Sequence, residues 1–331
     1  MAAMKNMGGD HGGVAHFLGV AMLCCLSWSV VAAERYPSKP IRIIVPSSPS
    51  SGPDIIARLT GTVLTEAWGQ QVVADNRAGA AGNIGGEIAA RANPDGYTLL
   101  AASSQQISGP LYNDNAGYHL LRDFAPIVLT ASTPYVLSVH PSVTAASVKE
   151  LIALSKAKPG TLQFGSSGTG GGPHLAAELM KIMSGFNFVN VPYKAAVFAL
   201  IDVAGGQIQW TFTVLPAALP MMKIGKVRAM AVTSRKRTPL APELEAIAEA
   251  IPGYEAIGWY GLVAPAKTPP AIVGMLNAEI LKALKRPDII EKIRTLGADP
   301  IGGSSKEFTA FMTEQIETTR KIMDAAGLRG K

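Results

Sequence analysis

Two stretches of this chain place small hydroxyls and glycines between an apolar strand-like run and an amphipathic helix. They are IRIIVPSSPSSGPDIIARL (Ile41–Leu59) and LQFGSSGTGGGPHLAAELM (Leu162–Met180). Ser47, Ser48, Ser50 and Ser51 crowd the first loop; Ser166, Ser167 and Thr169 crowd the second. Ser103 and Ser104 close a third predicted strand. A helix start presents unpaired backbone N–H groups and the positive end of its dipole, which suits a small anion. Serines and glycines also fill turns for conformational reasons alone. Three hydroxyl clusters at the carboxyl ends of predicted strands point further, because ligands of open α/β sheets sit there. Two such loops facing each other would grip a carboxylated molecule from both sides.

Other chemistries fit less well. A phosphate-binding P-loop needs Lys and then Ser or Thr after its last glycine, and neither loop has that pair. A dinucleotide fingerprint starts at Gly168-Thr169-Gly170, but Pro173 stands where its last glycine belongs. The sequence Gly165-Ser166-Ser167-Gly168 is one residue short of a nucleophile elbow. A secreted hydrolase using Ser166 or Ser167 with His174 is nonetheless the alternative to weigh. His174, predicted in the first turn of a helix, caps or packs, touches a ligand, or acts as that base. A pure interaction protein with a vestigial cleft is a third reading. No two histidines stand three or four apart, so no metal site is expected, and no cofactor. Asp54 is expected to act through the helix start, since Ser51-Gly52-Pro53-Asp54 has the spacing of a capping box.

The elements that must carry these loops alternate. Ile41–Val45, Gln71–Asp75 and Tyr97–Ala102 read as strands, with helices after the first two. Gly69 ends the first helix. Ile127–Val139 is extended and broken by Pro134. Further strands are expected at Phe188–Val191, Ile208–Val214 and Val227–Val232, and an extended run at Glu255–Val263. Helices close the chain at Pro270–Leu284 and Ser305–Ala325. Alternation of this kind means an α/β sheet architecture, and 331 residues suffice for two cores.

Before the first strand, Lys5, an apolar stretch Val14–Val31 and Val31-Ala32-Ala33 read as a secretory signal peptide. Both cysteines, Cys24 and Cys25, fall inside it, so the exported chain would need no disulfide. The net charge of +6 has no basic run longer than Ser234–Thr238 behind it, which favours a small anion over nucleic acid.

Further landmarks accumulate in order: Asp54-Ile55-Ile56-Ala57-Arg58, Asn76-Arg77, Gly82-Asn83-Ile84-Gly85, Pro94 to Leu99, His174-Leu175-Ala176, Val191-Pro192-Tyr193-Lys194 and Trp259-Tyr260-Gly261. With the two loops they make the chain resemble the Bug-type (TctC-like) periplasmic solute-binding proteins of tripartite tricarboxylate transporters. The resemblance implies an α/β protein of two domains (type II-like), each a mixed sheet flanked by helices, closing on one carboxylate like a flytrap. Residues 1–33 would be the signal peptide, cleaved near Ala33. Residues 34–133 with 257–331 would form one domain and 134–256 the other. It also implies a periplasmic monomer that hands its ligand to membrane transporter subunits or to a sensing partner. The carboxylate would be held by loop backbone and ordered water rather than by an arginine. By position, Ser47, Ser50, Ser51, Gly52 and Asp54 would form one wall, with Ser103 and Ser104 beside them. Ser166, Ser167, Gly168, Thr169, His174, Tyr193 and Thr213 would form the other. The chain departs from the family pattern at Ser50-Ser51, where relatives have a Gly-Gly pair. It departs again at Thr213-Val214, where many have Asp or Asn, and at Ala195, in place of Gly. Ligand identity is not carried across these changes.

Overall fold

Hydrophobic alternation and glycine punctuation translate into a long succession of short elements. The computed structural model describes residues 36–113, 116–168 and 170–329. The signal-peptide reading, with Cys24, Cys25 and Ala33, lies outside the described residues, and so does Thr169. In chain order come β1 (Ile41–Val45), α1 (Gly52–Trp68), β2 (Val72–Asn76), α2 (Asn83–Ala90), β3 (Thr98–Ser103), α3 (Gln105–Tyr112), α4 (Leu120–Asp123) and β4 (Phe124–Val139). Then follow α5 (Val148–Ala157), β5 (Gln163–Ser166), α6 (Gly172–Ser184), β6 (Val189–Pro192), α7 (Ala196–Ala204), β7 (Trp210–Val214), α8 (Leu215–Lys223) and β8 (Arg228–Val232). The chain ends with β9 (Glu245–Ala246), α9 (Ile247–Ala250), β10 (Ile257–Pro265), α10 (Pro270–Ala283), α11 (Pro287–Thr295), β11 (Asp299–Gly302) and α12 (Ser305–Ala325). All of these belong to one compact unit, residues 39–331.

The strands join in the order β2-β1-β3-β10-β4-β7-β5-β6. β1 is parallel to β2 and β3, while β10 runs antiparallel between β3 and β4. β4 is the long shared strand. Its residues Phe124–Pro134 pair with β10, and Tyr135–Val139 pair with β7 and β8. The sequence reading breaks the segment at Pro134 because proline has no N–H to give a ladder. The strand instead continues and exchanges neighbours at that residue, so the missing donor falls where one set of partners ends and another begins. β5 is parallel to β6 and β7.

Each half of the strand order has its own apolar core around a fully buried tryptophan. Trp259 packs with Ile44, Leu100, Phe308 and Met312; Trp210 packs with Phe164, Phe186, Phe212 and Met180. The Phe164 and Trp210 ring centroids are 4.3 Å apart. β1 shows why a short strand suffices: only Arg42 of its five residues is exposed, as a strand flanked on both edges and covered by helices requires. Among the described residues no helix is long and apolar enough to cross a membrane.

Candidate functional site

The first loop is held from beneath by a buried acid. Asp54, 2% exposed, accepts the Ser50 N–H at 2.9 Å, Arg58 Nε at 3.0 Å and Asn76 Nδ2 at 2.9 Å. Asn76 Nδ2 also donates to the Ser47 carbonyl at 3.0 Å, and Arg58 Nη2 donates to Asn76 Oδ1 at 2.8 Å. Burial alone would push the Asp54 carboxyl up, and it is the largest single influence. The donors from Arg58, Asn76 and the Ser50 backbone together outweigh it and hold the pKa below the ordinary 3.8. The expected capping box is not formed. Ser51 has the extended backbone of an N-cap, but its hydroxyl bonds Ser47 Oγ at 2.7 Å instead of a helix amide. Asp54 takes the amide one residue earlier than a capping box would, because Ser50 sits in the left-handed region at φ 64° and turns its N–H inward.

The second loop is held by a neutral ring. His174, 2% exposed, accepts the Gly170 N–H on Nδ1 at 3.0 Å. A backbone N–H can only donate, so Nδ1 is the unprotonated nitrogen and Nε2 carries the proton. Nε2 lies 3.6 Å from Glu178 Oε1 on the same helix. Gly168 and Gly170 have φ of 100° and 76°, which L side chains rarely adopt. Tyr193 N–H donates to the Ser166 carbonyl at 2.9 Å, and the Tyr193 hydroxyl donates to Asp202 Oδ2 at 2.7 Å. Burial and the neighbouring Asp202 push that phenol up to about 12.

Two tyrosines join the loops. α1 and α6 both begin Gly-Pro, a proline in the first turn being well suited to a helix start. A Cβ on Gly52 would stand 2.3 Å from the Tyr260 hydroxyl, and one on Gly172 would stand 2.1 Å from the Tyr135 hydroxyl. Tyr135 is bonded to the Ser104 hydroxyl, and Tyr260 lies close enough to raise its pKa beyond what burial does. Tyr260 itself is pushed up to about 12 by burial. Each helix start therefore rests on one of two adjacent phenols, which belong to the crossing strands β4 and β10. A cavity of about 630 Å³ reaches Ser104, Tyr135 and Gly172. A second, of about 280 Å³, lies between Gln105, Ser108 and Tyr112 on one side and Ser167, Gly168 and Tyr193 on the other.

Residues 56–328 match the family described as tripartite tricarboxylate transporter family receptor, TctC. The chain belongs to the TctC family. It is 34% identical to a Pseudomonas sp. (strain P51) protein described as UPF0065 protein in the tcbD-tcbE intergenic region, over 92% of each chain. It is 33% identical to protein BugT of Bordetella pertussis, over 91% of this chain and 93% of that one. A structure of R. palustris Rpa4515 with adipate matches with a TM-score of 0.79 at 35% identity, covering 88% of this chain and 98% of that one. The structure of periplasmic binding protein BugD matches with a TM-score of 0.76 at 28% identity, covering 89% and 99%. TctC proteins are periplasmic solute-binding receptors and not enzymes, and nothing in these relatives supports the hydrolase alternative. The His174 geometry agrees, since its Nδ1 is occupied by Gly170.

In this TctC receptor the structure gives the expected site residues different places. Ser104, Ser167, Gly168 and Tyr193 line the two cavities. Asp54 and His174 lie behind their loops and hold them. Ser103 donates its N–H and hydroxyl to Gln106 Oε1 at 2.9 and 3.0 Å, within the first half. Ser166 and Thr213 are buried, with hydroxyls that have no partner among the described residues. Sequence reasoning gave no role to Tyr135, Gln106, Asn76 or Tyr260, which the structure places beneath or beside the loops. Gln106 is fully buried; its Oε1 is fixed by the Ser103 N–H, so its Nε2 is a donor, and that donor has no acceptor among the described residues. Tyr260, Asn76 and Lys194 stood in the quoted landmarks without an assigned role. Nothing in the sequence marks Tyr135 apart from its place after Pro134.

Proposed function

We propose that this protein is exported, loses its leader near Ala33, and captures a small carboxylate between two lobes as a monomeric periplasmic receptor. The lobes are residues 34–133 with 257–331, and 134–256. They meet where β4 changes neighbours at Pro134–Tyr135 and where β10 begins at Ile257. The observation that carries this reading is the convergence of two Gly-Pro helix starts on the adjacent phenols of Tyr260 and Tyr135. Such starts offer N–H donors and a positive dipole to one anionic group. Ser47, Ser50, Ser51, Gly52, Ser103 and Ser104 form the first wall; Ser166, Ser167, Gly168, Tyr193 and Thr213 form the second. Asp54 and His174 act through their loops.

The unpartnered Gln106 amide and the Ser166 and Thr213 hydroxyls support the same reading, because buried polar groups cost free energy unless something bonds them. The 35%-identical R. palustris protein holds adipate, which fits a carboxylate here. Ligand bridging both walls stabilises the closed arrangement by contacts the open one lacks. Delivery to membrane transporter subunits is the family role the receptor would serve. Thermal-shift and calorimetric screening of the mature protein against mono-, di- and tricarboxylates tests the proposal. Stabilisation by a carboxylate is expected; binding only to sugars or cations would overturn it.

A further inference from the structure

The last long helix belongs to both halves of the molecule. The first turns of α12 pack into the core around Trp259 through Phe308, Met312 and Ile316. Its last turns pack elsewhere. Ile322, Met323 and, past the helix end, Leu328 form a separate apolar cluster with Leu175 of α6. α6 belongs to the other core, around Trp210, through Ala176, Ala177 and Met180. Leu175 follows directly on His174, which holds Gly170 of the second loop. Tyr112 packs on the cluster from α3 and also lines the smaller cavity. Ile322, Met323 and Leu328 lie outside the described lining of that cavity. The contact therefore adjoins the site without entering it.

The contact is also local. Beside it the two helices stand apart across the cavity of about 630 Å³, which Leu179 and Met183 line from α6, and Glu314 and Thr318 from α12. A close-packed interface holds one arrangement, because its side chains have no room to shift. Here a small apolar contact has open space next to it, so the halves can part there without breaking either core.

We infer that this contact is a clasp: it holds the two halves in the arrangement that sets the second loop opposite α3, and its strength decides how often the unliganded protein keeps that arrangement. The inference rests on the two-lobe reading above. It adds residues that govern ligand capture from outside the ligand's reach. A ligand that needs both walls binds only the population in which they face each other, so its apparent affinity scales with that population. Truncating a clasp side chain shifts the population and removes no ligand contact.

The test measures the distance between spin labels at Arg91→Cys, just past α2, and Val197→Cys, in the first turn of α7. Both positions are exposed, and Ala81 and Lys194, which line opposite sides of the smaller cavity, precede those helices. The sequence has no cysteine after Cys25, so the labels are specific in the mature protein. The unliganded protein is compared with and without Ile322→Ala, Ile322→Leu and Leu328→Ser. Ile322→Ala is expected to raise the share of longer distances, relative to the main one, by about tenfold, a modest effect for a truncated buried side chain. Ile322→Leu, which keeps the apolar volume, should leave the distribution as in wild type. Leu328→Ser should move it in the same direction as Ile322→Ala, and its place beyond the helix keeps the test valid if Ile322→Ala unfolds. An unchanged distribution in the truncated variants, with only a lower melting temperature, would reduce the contact to ordinary packing and overturn the inference. A shift to shorter distances would overturn it too, since the contact would then hold the halves apart. No ligand is needed for this measurement. A protein that binds no carboxylate in the screen would overturn the receptor reading and leave the clasp standing.

Discussion

The two strand–loop–helix units share a plan and differ in what fixes them. Both follow a buried strand, both open a helix with Gly-Pro, and both set that glycine against a tyrosine hydroxyl. The first loop hangs on a buried carboxylate with donors from Ser50, Arg58 and Asn76. Among the described residues the second is held by hydrogen bonds between neutral groups, from Gly170 N–H to His174 Nδ1, from Gly171 N–H to the Gly168 carbonyl and from Tyr193 N–H to the Ser166 carbonyl. A hydrogen bond to a charged group contributes more than one between neutral groups. The first loop is therefore the rigid wall and the second is the one that gives more easily. Local chemistry can thus differ between two walls that present the same face to a ligand.

Removing the charge should show the contrast most strongly. Asp54→Ala is expected to cost about 2–3 kcal/mol in urea unfolding, because a buried acceptor of three donors disappears while Arg58 can still turn to water. A loss under about 1 kcal/mol, no more than an ordinary helix cap, would restore the capping account. Next come the glycines. Gly172→Ala should cost about 1–3 kcal/mol, since the buried Tyr135 phenol must move. Gly52→Ala should cost less, because the Tyr260 side chain as a whole is more open to solvent than that of Tyr135. Adding Tyr135→Phe to Gly172→Ala should recover part of the loss, measured as a double-mutant coupling. Equal costs at both glycines, or no recovery, would remove the asymmetry. A smaller effect is expected at His174. His174→Leu should cost about 1 kcal/mol, as one neutral bond is lost, and should speed amide exchange at Gly170. His174→Asn, which keeps an acceptor, should restore much of the protection.

The smallest expected effect is the pH dependence of the first loop. The folded-state pKa of Asp54 lies below its ordinary 3.8. Its contribution is therefore complete above that value and is lost as pH falls through the folded-state pKa. The stability difference between wild type and Asp54→Asn should stay constant from neutral pH down toward that range and shrink below it. A difference that grows on acidification would contradict the network.

Much of this could be read from residue pattern. The apolar Ile41–Val45 run, the Gly-Pro helix starts and the left-handed Gly69 cap are local signals, and they appear where periodicity places them. α3 was not read, because Gly109 and Pro110 interrupt its helical pattern; tertiary packing against α12 and the Gly79–Gly82 turn overrides that propensity. α11 follows Pro287 so soon after α10 that the two closing helices hid it. α8 begins at Leu215, directly after β7, because Pro216 suits a first turn. The site divides the same way. Ser and Gly clusters could be seen in sequence, whereas the phenols beneath them could not. Tyr135 and Tyr260 are 125 positions apart, and only the pairing of β4 with β10 sets their strands side by side.

The central claim is that both helix starts hold one ligand. A crystal structure of the mature protein with the best-bound carboxylate tests it most directly. The account predicts carboxylate oxygens within about 3 Å, directly or through one water, of amides or hydroxyls from both Ser47–Gly52 and Ser166–Gly172. A ligand that touches one of these loops alone, or lies away from Tyr135 and Tyr260, would contradict it.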